Sequence, residues 1–204
     1  MTNYSRISGC GVSSQRACAK RALRTIFVAS LAILMAGAGG AQTYQTIYSF
    51  QSSPDGANPM GGLVIAANGA LIGTTNAGGT SGQGTVYELT YAKGKGWKET
   101  VLHNFSGTDG QYPQSTLVFG STGALDGATA LGGPGGSGAI FELAPPAAAG
   151  AAWTETVLYS FSYSQTVIGS QNVVPNGPVF ISPGGTIYTT TQGSVVGLFE
   201  FPAA

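Results

Sequence analysis

The stretch Gly69–Gly79, GALIGTTNAGG, returns 54 positions later as GALDGATALGG (Gly123–Gly133) and a third time, more divergent, as GTIYTTTQG (Gly185–Gly193). Around each copy the same neighbours recur. The first unit continues through GTVYELT and WKETVLHNF, the second through GAIFELA and WTETVLYSF, and the third through GLFEF. Trp97 matches Trp153 and Phe105 matches Phe161, so the period is about 55 residues, in the range of solenoids, propellers and arrays. The repeats divide the chain at about residues 46–99, 100–155 and 156–204.

Turn chemistry splits each unit into short strands. Asn68-Gly69 between two apolar runs is a hairpin signal, and a two-residue type I′ turn, with positive φ at both centres, is expected there. Thr122-Gly123 and Gly184-Gly185 occupy the same place. Glycine-rich links lead to a third strand, and a fourth begins near Trp97 or Trp153; Pro145-Pro146 excludes a strand between them. Outside the N-terminal leader no window has helical period. The pattern predicts an all-β fold of four-stranded antiparallel blades, β-propeller-like, with about three blade equivalents. The segment QTIYSF (Gln45–Phe50) matches TVLHNF and TVLYSF, so it is expected as a fourth strand that closes the last blade. Three blades are fewer than the usual four to eight. Homo-oligomerisation into a larger ring, a shortened array and a three-bladed monomer all satisfy the count.

The first 41 residues read as an export signal. Arg6, Arg16, Lys20, Arg21 and Arg24 precede the apolar run IFVASLAILMAG, and small residues suited to cleavage follow it. The expected location is therefore extracellular, on the cell surface or periplasmic, with residues 42–204 as one repeat domain. Both cysteines, Cys10 and Cys18, lie in the leader, so no disulfide framework is available beyond it. From Gln42 onward three lysines face eight acids, a balance that disfavours nucleic acid as a partner.

No catalytic constellation emerges. His103 is the only histidine, which excludes a zinc site built on two histidines of one chain, and it aligns with Tyr48 and Tyr159 as a packed ring. No G-x-S-x-G occurs. Glu88, Glu142 and Glu200 recur at one place in the third strand of each unit, which suggests a structural bond to the neighbouring blade. Asp55-Gly56 and Asp109-Gly110 are read as turns, without the oxygen ligands calcium needs. No metal and no cofactor is expected. Trp97 and Trp153 suit inter-blade packing and are candidate sugar platforms; Tyr112 and Tyr163, in loops and not repeated, are the candidate surface contacts.

GALIGTTNAGGTSGQGTVYELT followed by VLHNFSGTDGQYP resembles the GloVer (Gloeo/Verruco) tandem repeat over nearly all of residues 45–201. The resemblance implies an exported bacterial surface protein with propeller-like repeats and carries no molecular activity with it. The function expected is a non-enzymatic binding or structural module, with carbohydrate or a cell-surface component as partner. The alternative is a carbohydrate-active or other hydrolytic propeller using loop carboxylates.

Overall fold

The computed structural model describes residues 43–148, 150–162, 173–175, 177–184, 186–193 and 197–201, and residues 46–204 form one compact unit. Among the described residues there is no helix. The described residues form fourteen strands in three antiparallel sheets, each containing one copy of the glycine phrase, so the all-β reading holds.

The first sheet contains β1 (Gly56–Pro59), β2 (Val64–Ile65), β3 (Leu71–Gly78), β4 (Thr85–Ala92) and β5 (Gly96–Asn104). Both β1 and β2 pair with β3, one at each end, so they act as one interrupted row in a four-row meander. The second sheet repeats this plan with β6 (Gln111–Pro113), β7 (Val118–Phe119), β8 (Leu125–Leu131), β9 (Gly136–Ala144) and β10 (Thr154–Ser162). The third has β11 (Val173–Pro175), β12 (Phe180–Ile181), β13 (Ile187–Gly193) and β14 (Gly197–Phe201), which amounts to three rows.

The recurring glycine of LIGTT and LDGAT has a steric cause. Gly73 lies opposite Tyr87, and Gly127 opposite Phe141, in the β3–β4 and β8–β9 registers. A Cβ on Gly73 would stand 2.7 Å from the Tyr87 hydroxyl oxygen, and one on Gly127 2.6 Å from Phe141 Cζ. The aromatic ring lies over the bare backbone of its neighbour, a cross-strand arrangement known to suit glycine in sheets.

Onto each such ring the preceding segment lowers another. Phe105, at the end of the first unit, meets Phe141 edge-on at 5.1 Å, and Phe50 meets Tyr87 in the same way at 4.8 Å. The first core cluster joins Ile72, Val86 and Phe105 of one sheet to Leu117, Leu125, Phe141 and Leu143 of the next. The second joins Ala128, Ile140 and Phe161 to Val179 and Ile187. Each core is thus a seam between consecutive sheets, and a repeat unit buries its apolar face only against its neighbour. Backbone bonds cross the first seam as well: Tyr112 N–H donates to the Gln83 carbonyl (2.9 Å) and Gly62 N–H to Thr116 Oγ1 (3.0 Å).

Two expectations are corrected. The Asn68-Gly69 hairpin is not type I′. Gly69 N–H donates to the Ala66 carbonyl, only Gly69 takes positive φ (83°), and Asn68 Oδ1 accepts from Ala70 N–H. One left-handed glycine after a type I turn closes the loop at no steric cost, so Asn68 stays in the ordinary region. Residues 45–50, expected as a strand, are not one, and β14 pairs with β13 alone among the described residues. The side chains of that segment nonetheless keep the repeat's contacts, since Phe50 packs on Tyr87 as Phe105 packs on Phe141.

Candidate functional site

Two places gather polar groups. The first is repeated. At the end of β5, His103 Nε2 is 3.0 Å from Asp109 Oδ2, and Asp109 Oδ1 accepts from the Ser106 backbone N–H at 2.8 Å and from Ser106 Oγ–H at 3.0 Å. Glu155, on β10, brings its carboxylate to the same spot, and the three donor atoms lie within 4.8 Å of one another. One unit earlier the same positions are Tyr48, Asp55 and Glu99: Tyr48 O–H donates to Asp55 Oδ2 (2.9 Å), and Gln51 N–H to Asp55 Oδ1 (2.9 Å). Asp55 and Asp109 are therefore more than turn residues; each ties an aromatic ring to its own loop.

The glutamates of these trios carry the strain. Glu99 Oε1 and Glu155 Oε1 are buried without a hydrogen-bond partner among the described residues. Burial first, and the Asp109 charge second, push the Glu155 carboxyl up to about 7; burial and Asp55 raise Glu99 in the same way. Burial lowers His103 below the ordinary histidine range despite the opposing pull of Asp109. His103, Asp109 and Glu155 have the spacing to share one divalent ion. The tyrosine in the equivalent trio shows that hydrogen bonding alone suffices to organise the position. Sequence reading missed both glutamates, although Lys98-Glu99 and Thr154-Glu155 recur just after the tryptophans.

The second place is a cleft of about 390 Å³ between the second and third sheets. Asp126 on β8 and Glu142 on β9 face each other in register at its floor. The β7 and β12 hairpins wall it with Phe119 and Phe180, which are 40 % and 57 % exposed. Asp126 is only 2 % exposed, and its Oδ1 has no hydrogen-bond partner among the described residues. Burial, reinforced by the Glu142 charge, raises its carboxyl to about 6.

The position of Asp126 within the repeat makes this unusual. Its counterpart in the first sheet is Ile72, which is 2 % exposed and part of the first core. An isoleucine belongs in such a seam; an unpaired carboxylate there costs several kcal/mol unless something answers it. Sequence reading singled out Glu142 and passed over Asp126, yet GALDGAT against GALIGTT displays the substitution.

The sequence candidates fall elsewhere. Trp97, second residue of β5, is half-buried and lies against Tyr91 of its own sheet (5.5 Å between ring centres). Trp153 is partly buried against the first core. Tyr112 sits on β6 at φ 58°, held by its backbone bond to Gln83. Tyr163 lies outside the described residues. Glu200 accepts from Tyr188 O–H at 3.2 Å within its own sheet, because the register places them side by side.

The doubled Gly–aromatic stack, the seam phenylalanines and the paired aspartate loops are features of one repeat plan. Residues 33–197 match the Gloeobacter/Verrucomicrobia repeat family. The chain belongs to that family. No curated protein matches it. In this repeat the glycine phrase is the β3 or β8 strand that seats the aromatic ring, and Asp126 stands where the first copy of the phrase has Ile72.

Proposed function

We propose that this chain is an exported, non-enzymatic repeat protein whose sheets stack as propeller-like blades and act as a binding or structural module outside the cytoplasmic membrane. The observation that carries the reading is the seam: Phe50 and Phe105 each lie over the third-row aromatic of the sheet that follows, at 4.8 Å for Phe50–Tyr87 and 5.1 Å for Phe105–Phe141. Such a plan explains the repeat by stacking and asks for no substrate. Residues 46–50 already pack as a fourth row would, and β14 lacks a partner on its outer side among the described residues. Strand addition between these two, within one chain or between two copies, is the step that completes a ring.

Export is supported by the basic leader and the apolar run after it. The test is the solution mass of the exported protein by light scattering, followed by hydrogen exchange of the Ile47–Phe50 amides. Slow exchange of those amides supports ring completion, the mass distinguishing one copy from two; fast exchange refutes it.

A hydrolytic reading is favoured by one observation, the in-register Asp126–Glu142 pair with one carboxyl raised to about 6. A carboxyl raised by burial beside a second carboxylate is an arrangement that glycoside cleavage uses. Product formation from a broad glycoside panel, lost in Glu142→Gln, would overturn the non-enzymatic reading.

A further inference from the structure

We propose that the cleft between the second and third sheets binds an organic cation, a primary ammonium group carried on an apolar body. The inference deepens the binding-module reading and rests on it. Its first support is the unanswered charge. Asp126 is 2 % exposed with Oδ1 unpartnered among the described residues, and Glu142 stands beside it in register. No Lys or Arg follows Lys98 in the sequence, so neither sheet that forms the cleft has a basic side chain with a permanent charge to offer. What neutralises the carboxylate therefore comes from outside these two sheets, as a proton or as a cationic ligand. A buried acceptor without a donor is tolerated at a cost that a charged N–H donor removes.

The second support is the wall. Phe119 and Phe180 expose ring surface at the sides of the cleft, with Ile181 and Pro183 beside them. Aromatic faces attract ammonium groups and pack against apolar carbon, whereas a small hydrated metal ion gains little from them. The volume, about 390 Å³, lies within the range of small-molecule pockets and far exceeds a single ion.

The third support is internal comparison. The first seam has Ile72 where the second has Asp126, and there the row containing Trp153 also packs against the core. The carboxylate thus stands in the seam that has the cleft, where the first seam has a core isoleucine.

The experiment is a calorimetric titration of the purified chain with benzylammonium, with its neutral isostere benzyl alcohol and with calcium chloride. The expected result is saturable one-to-one binding of benzylammonium, about tenfold or more tighter than benzyl alcohol, and unaffected by calcium at equal concentration. Asp126→Asn is expected to lose about tenfold or more of that affinity, and Phe180→Ala several-fold. Should Asp126→Asn fail to fold, Glu142→Gln, at a half-buried position, serves in its place and is expected to weaken binding in the same direction. Equal binding of benzyl alcohol, displacement by calcium, absence of saturation at millimolar concentration, or an unchanged affinity in these variants overturns the proposal. Those outcomes leave the module reading standing, because that reading fails on a different result, glycoside turnover.

Discussion

The two seams of this molecule follow one plan and differ at one decisive position. In the first, Ile72, Val86 and Phe105 meet Leu117, Leu125, Phe141 and Leu143, and every residue is buried and apolar. In the second, Ile140 and Phe161 meet Val179 and Ile187, but the counterpart of Ile72 is Asp126, and a cleft opens above it. Repetition makes the first seam a control for the second. It shows an apolar residue at the position where the second seam has Asp126, a residue whose burial opposes stability.

The largest effect is expected from copying the difference into the dry seam. Ile72→Asp places an uncompensated carboxylate among fully buried side chains and should cost about 4 kcal/mol, read from urea denaturation midpoints. Phe105→Ala comes next at roughly 3–4 kcal/mol, since Phe105 is completely buried and its ring contacts both His103 and Phe141. A loss below about 1 kcal/mol would mean that the seam is not the source of cohesion.

The reverse exchange, Asp126→Ile, should stabilise by about 1–3 kcal/mol, because it removes an unpartnered buried carboxylate. Destabilisation would show that the aspartate is satisfied in a way the two-seam comparison does not capture.

A pH test separates the repeated trios from the cleft. The Glu155 carboxyl, ordinarily at 4.5, is raised to about 7 in the folded chain. The folded state then binds the proton more tightly than the unfolded one, so this group's contribution is full at low pH, falls as pH rises from about 4.5 to about 7 and is flat above. Glu155→Gln should flatten that part of the stability profile and gain about 1 kcal/mol near neutral pH, discounted for partial exposure. An unchanged slope between those values would refute it. The smallest effect is expected of His103→Tyr, which copies the Tyr48–Asp55 bond into the second trio; a change under about 0.5 kcal/mol in thermal denaturation is the expected outcome.

Much of the fold was legible because its signals are local. Alternating apolar residues, a glycine at each hairpin and prolines after Ala144 mark strands and breaks through sterics that act within a few residues. The turn type at Asn68 escaped because Gly69 alone meets the need for positive φ, and sequence cannot tell one left-handed residue from two. The cleft escaped for a different reason. Asp126 was visible as a letter, but its cost depends on burial, and burial depends on which sheet faces which. The same holds for Glu99 and Glu155, whose carboxylates meet aspartates 44 and 46 positions earlier in the chain.

The sequence by itself determined the repeat, the strand class, the scarcity of positive charge and the match of Phe105 to Phe161, since period and composition are written in one dimension. Only the tertiary structure decided that the phenylalanines cross from unit to unit, that Gly73 and Gly127 exist to seat a ring, and that Asp126 lies where its counterpart is core. The physical reason is that close contact and exclusion of water are relations between distant parts of the chain, and a charge becomes costly only when packing removes its solvent.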